Sequence, residues 1–155
     1  PQHFRPRQKR GETMDEFTGY YFEDLKVGMT AVFGKTVTDA DICIFAGVSG
    51  DTNPVHLNDD YAKGTMFKGR IAHGMFGASL ISAVFGTKMP GPGCIYVSQN
   101  LRFKAPVRVG DTLIARVTVK NLLPQKKFVE FDTACTVAGK TVMDGDAVLM
   151  VPSKG

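Results

Sequence analysis

The stretch RIAHGMFGASLISAVFGTKMPGPG, residues 70–93, decides the fold. From Ala72 to Phe85 it is nearly free of charge and rich in Gly, Ala and Ser. It stops at Gly86, ahead of the breaker PGPG, which predicts one helix ending there. A helix that is apolar all round is expected to be buried all round. Its glycines weaken it by about 1 kcal/mol each relative to alanine. Close packing against a sheet or a ligand is the expected compensation.

Downstream, four segments alternate with period two and are rich in Val, Thr, Phe and Ile: CIYVSQNLRFKAPV, DTLIARVTVKNLL, KKFVEFDTACTVAG and KTVMDGDAVLMVP. These read as strands joined by short turns, an antiparallel meander. Upstream, MTAVFG reads as a strand. A short helix follows, capped by Thr38 or Asp39, with Ile42, Phe45 and Ala46 on one face. A second short helix is predicted after Asn58, a good N-cap followed by acids. Strands and helices do not alternate, so a doubly wound sheet is excluded. The order predicts an α+β domain in which a curved antiparallel sheet wraps one long helix. Such a sheet has unpaired edges, and edge-to-edge pairing in a homodimer would remove them.

The chain has 155 residues, 43% of them apolar and 22% charged, as in an ordinary globular domain. No apolar run is long enough to span a bilayer, and no membrane role is expected. The net charge of +4 is uneven. Four of the 19 basic residues (Arg5, Arg7, Lys9 and Arg10) lie in the first ten, where there is no acid. The remainder is balanced against its 15 acids. Residues 1–16 are therefore expected to form a disordered basic tail and residues 17–155 a single domain, with no nucleic-acid role. Cys43, Cys94 and Cys135 are odd in number and contain no CxxC pair. Reduced thiols in a cytoplasmic protein are expected, without a disulfide or zinc site.

The chemistry concentrates in GVSGDTNPVHLNDDYA, residues 47–62. Gly50, Asp51, Asn53 and Pro54 are good turn formers, so an ordinary bend would explain them. Three features point further. Asp51 and His56 lie five residues apart with Pro54 between them, and proline stiffens the bend that aims them. A carboxylate and an imidazole sharing one water can orient it and move its protons. Gly74 falls in the first turn of the long helix, where amides lack an intrahelical partner and the dipole favours negative charge. His73 beside it reads as a structural histidine, and His56 with His73 lacks the spacing of a zinc motif.

The run SGDTNPVH followed by AHGM resembles the hydratase 2 motif of the MaoC-like dehydratases, more narrowly the (R)-specific enoyl-CoA hydratases. The likeness extends over FAGVSGDTNPVH, IAHGM, PGPGCIY and LRFKAPVRVGD. It implies a hot-dog fold, a homodimer, an acyl-CoA substrate, and no metal or cofactor beyond the substrate's own coenzyme A. It also implies Asp51 and His56 as the catalytic pair and the Gly74 amide as donor to the thioester carbonyl. Asn53 is expected to brace the loop or orient a partner, and the family's helix serine falls on Ser82, which either lines the site or bonds to its own helix. Cations lining the coenzyme A path are expected among Lys88, Arg102, Lys104 and Arg108. A hot-dog thioesterase and a non-catalytic acyl-CoA-binding subunit are the alternatives. The complete Asp-x-Asn-Pro-x-His loop favours hydration.

Overall fold

A computed structural model describes residues 17–155. The expected basic tail, residues 1–16, lies outside the described residues. The elements run β1 (Thr30–Thr36), α1 (Asp39–Ser49), α2 (Pro54–Leu57), α3 (Asp59–Lys63), α4 (Gly74–Thr87), β2 (Ile95–Phe103), β3 (Thr112–Leu123), β4 (Phe128–Val137) and β5 (Lys140–Met150). The strands form one antiparallel sheet in the order β1-β3-β4-β5-β2. This is the expected α+β hot-dog architecture, a long helix held by a five-stranded sheet. No helix among the described residues is long and apolar enough to cross a membrane.

Local chemistry sets the element ends. Thr38 caps α1, its hydroxyl accepting from the Asp41 amide at 3.1 Å while Asp41 accepts from the Thr38 amide at 2.9 Å. Asn58 caps α3 by accepting from the Tyr61 amide. Ala138 (φ 47°) and Gly139 (φ 78°) form the two-residue turn between β4 and β5, the left-handed geometry that matches strand twist.

Period-two burial builds the core. Leu113, Ala115, Val117 and Val119 of β3 and Val129, Phe131 and Cys135 of β4 point to one side. Phe76, Leu80, Ile81, Val84 and Phe85 of α4 pack on them. Each such large apolar side chain contributes about 1.5–3 kcal/mol on burial.

Two expectations are corrected. The four downstream strands are not a simple meander: β3, β4 and β5 are, but β2 lies on the far side of β5. The link at residues 104–111 is too long for a tight hairpin. It is tied instead to the approach to α4, through Ala72 N–H to Val107 O at 2.7 Å, and to Val37, through Gly110 N–H at 2.8 Å. Nor is α4 buried all round within one chain. Phe76, Gly77, Leu80, Ile81, Val84 and Phe85 are buried, whereas Met75, Ser79, Ser82 and Gly86 are exposed. The sheet covers one face of the helix and leaves the other open.

The compensation for glycine is visible at Gly77. A Cβ there would meet Met143 Cε at 2.9 Å and Leu113 Cδ2 at 3.3 Å, so glycine lets α4 lie this close to β3 and β5 with those two side chains where they stand.

Candidate active site

Helix α1 ends at Gly50, whose left-handed φ of 79° turns the chain and whose amide bonds to Ala46 O. The bend that follows is held by its own side chains. Asp51 Oδ1 accepts from the Asn53 amide at 3.2 Å, and Asn53 Oδ1 accepts from the Val55 amide at 3.1 Å. Asn53 thereby caps α2, with Pro54 at the first helical position, where a missing N–H costs nothing. Asn53 is thereby tied into the bend that separates Asp51 from His56.

His56 on α2 is buried, while Asp51 is exposed. The Ile71 carbonyl lies 2.8 Å from His56 Nδ1 and can only accept, so in the neutral ring the proton sits on Nδ1 and Nε2 keeps its lone pair. Nε2 is 3.9 Å from Asp51 Oδ2. That gap is too long for a direct hydrogen bond and short enough for one water to reach both groups.

His73 is the residue the sequence undervalued. It stands just ahead of α4, donates from Nε2 to the Asp51 carbonyl at 2.9 Å, and stacks on His56 with ring centroids 3.8 Å apart. Its Nδ1 is buried with no hydrogen-bond partner among the described residues. One imidazole thus holds the backbone of Asp51 and the ring of His56 together. Donor atoms of Asp51, His56 and His73 lie within 4.8 Å of one another. As a metal clamp the set is poor. Each ring already commits a nitrogen to a carbonyl, and rings stacked at 28° send their remaining lone pairs along nearly parallel planes.

Arg70 is a second residue without an advance signal. Its guanidinium bonds Asp39 of α1 at 2.7 Å and Asp59 of α3 at 2.9 Å, and reaches the His56 carbonyl at 3.4 Å. The bonds to Asp39 and then Asp59 raise its pKa further above the usual range. Arg70 therefore fastens three helices around the segment carrying Ile71, His73 and Gly74.

Gly74 opens α4, at the position where an amide lacks an intrahelical acceptor. Asp51, His73 and Gly74 all line a cavity of about 480 Å³ that runs inward to Leu113 and Met143. His56 stands behind this wall, against His73. A Cβ on Gly74 would meet the ring of Phe103 at 2.7 Å; Phe103 is an exposed aromatic on β2 that also lines the mouth.

The remaining candidates separate. Lys104 lines the mouth and pairs with Asp144. Arg102 is exposed nearby, opposite Asp144 in the β2–β5 register. Arg108 is spent on the backbone, donating to the carbonyls of Phe67 and Arg70, because the 104–111 link lies against that loop. Lys88 caps the far end of α4, over the Phe33 ring at 5.9 Å, about 20 Å along the axis from Gly74. Ser82 is on the exposed face of α4 and does not line the cavity within one chain.

A long helix wrapped by a five-stranded sheet, with a carboxylate and a helix-initial amide on one cavity and a buried imidazole behind its wall, defines a hot-dog domain that carries acid–base groups. The chain belongs to the MaoC-like domain family, whose model matches residues 25–143. It is 60% identical to an (R)-specific enoyl-CoA hydratase of Rhodospirillum rubrum, over 91% of this chain and 98% of that protein. It is 45% identical to a 3-hydroxybutyryl-CoA dehydratase of Methylorubrum extorquens, over 91% of this chain and 90% of that one. Among solved structures it resembles the R-hydratase PhaJ1 from Pseudomonas aeruginosa, unliganded, with a TM-score of 0.83 and 45% identity over 88% of each chain.

Proposed function

We propose that this chain is an (R)-specific enoyl-CoA hydratase, a hydro-lyase that adds water across the C2=C3 bond of a trans-2-enoyl-CoA to give the (R)-3-hydroxyacyl-CoA, reversibly. The observation that carries it is the 3.9 Å gap between Asp51 Oδ2 and His56 Nε2, with Asp51 and the Gly74 amide lining one cavity and His56 directly behind its wall. One water accepted into that gap donates to both groups. In the neutral ring, with Nδ1 donating to Ile71, His56 Nε2 takes a proton as the water oxygen bonds to C3. The C2=C3 electron pair moves toward the thioester carbonyl, whose oxygen gains charge opposite the Gly74 amide and the α4 dipole. A proton then returns to C2 from the Asp51–His56 pair, and the balance is one water added. No metal or further cofactor enters these steps; the coenzyme A belongs to the substrate. Lys104 is the cation at the mouth suited to its phosphates, with Arg102 exposed two residues back on β2.

We also place a second copy of this chain among its partners. The edge strand β2 exposes Ile95, Tyr96 and Val97, and α4 leaves Met75 and Ser82 open. A homodimer would cover both, and would decide whether Ser82 and Lys88 reach a site. Three unpaired cysteines suit the cytoplasm.

Incubation with crotonyl-CoA tests the chemistry. Hydration removes the enoyl absorbance without releasing free thiol, and chiral analysis of the product returns the (R) isomer. Free thiol release would mean thioester hydrolysis, and binding without turnover would mean a non-catalytic acyl-CoA-binding subunit.

A further inference from the structure

The cavity has an open end and a closed one. Met66 and Phe103 at its mouth are exposed. At the inner end Leu113 and Met143 are 1% and 3% exposed, against buried Gly77. The Met143 methyl lies within 2.9 Å of where a Gly77 Cβ would stand, so its tip rests on the helix backbone. Beyond it the core is filled: Cys135 Sγ, fully buried, sits 3.7 Å from the Gly77 carbonyl.

We propose that Met143 is the end stop of the acyl channel and confines turnover to short enoyl groups of about four to five carbons; this rests on the hydratase reading above. The length follows from the helix. A thioester carbonyl at the Gly74 amide lies one turn from Gly77, roughly 4.5 Å along the axis. An extended chain advances about 1.2 Å per bond, a third of the span of an extended residue. Three to four bonds therefore bring the acyl tip from C1 to the Met143 methyl. Two further methylenes must displace close-packed atoms, which costs roughly ten- to a hundredfold in kcat/KM. Replacing Met143 by alanine removes the side chain beyond Cβ and opens room for roughly three methylenes.

The test measures kcat/KM for crotonyl-, hexenoyl- and octenoyl-CoA on the full chain, wild type and Met143→Ala. Calorimetric Kd values for butyryl- and octanoyl-CoA are measured alongside. The wild type is expected to favour crotonyl- over octenoyl-CoA at least tenfold, and Met143→Ala to raise the octenoyl-to-crotonyl ratio at least tenfold, with the Kd ratio moving the same way. Met143→Leu, a volume-conserving exchange that cores accept, is expected to shift the optimum toward hexenoyl-CoA and covers the case in which the alanine variant does not fold. Ratios unchanged within twofold in the folded variant would overturn the stop, as would a wild type indifferent to length. Either result would mean that the acyl chain leaves along another path, such as the open face of α4. Crotonyl-CoA turnover that persists while the ratios stay flat sinks the stop alone. Absence of turnover with the Kd ratios shifted sinks the hydration reading and leaves the channel end in place.

Discussion

Asp51 and His56 stand 3.9 Å apart because their surroundings over-determine them. Asp51 is held by its own turn and by His73, and His56 by the Ile71 carbonyl and the stack on His73. Asp51→Asn keeps the shape and removes the charge. We expect kcat to fall by about 10²–10⁴-fold with the melting temperature within a few degrees of wild type, as stopped-flow hydration and calorimetry would show. His56→Gln should lose activity to a similar degree. Wild-type turnover in either variant would remove that residue from the chemistry. Arg70 acts at one remove, since it touches the His56 carbonyl but not the cavity wall. Arg70→Met is expected to lower kcat about tenfold with a smaller change in KM. Arg70→Lys, which keeps the charge but not the fork, should recover only part of it. A full recovery by lysine would show that charge alone matters there.

Helix α4 joins the core to the site. Its N-terminus offers the Gly74 amide, and its next turn offers the Gly77 notch. Gly74→Val should cut kcat/KM by about 10²-fold, the scale of losing one oxyanion donor. The clash at 2.7 Å is with Phe103, an exposed ring free to swing, so the fold should survive; circular dichroism against the kinetic loss would separate the two effects. Helix existence was legible because Ala72 to Phe85 lacks charge and is followed by a breaker. The open face carrying Met75, Ser79 and Ser82 was not legible, because apolarity says that a surface avoids water without saying which surface meets it within one chain.

For the whole molecule, the edge of β2 predicts assembly. Sedimentation should give the mass of two chains, and Val97→Lys on that edge should shift it toward one. The thiols provide a second check. Burial pushes the Cys135 thiol up to about 12 and raises Cys94 too, while Cys43 is exposed. Titration with an aromatic disulfide at pH 8 should label Cys43 in the native protein and Cys135 only after unfolding. An acid-sensitive clasp closes the chain. Glu23 accepts from the Ser153 hydroxyl and the Lys154 amide, and these bonds lower its carboxyl from 4.5 to about 2. A depressed carboxylate stabilises the fold above its unfolded value and loses that contribution as pH falls toward the folded one. Stability should therefore drop between pH 4.5 and about 2, and Glu23→Gln should flatten that part of the curve in denaturant titrations.

Local signals determined which elements form. Thr38 and Asn58 cap their helices, period-two runs make strands, and Asn53 with Pro54 makes the bend between Asp51 and His56. These depend on neighbours within a few residues, so they can be read along the chain. The three-dimensional fold alone decided that β2 crosses to the far edge of the sheet, that Arg70 gathers Asp39 and Asp59, that Lys88 stands a helix-length from Gly74, and that Met143 lines the cavity against Gly77. Each of these joins residues far apart in sequence, through packing that periodicity does not encode.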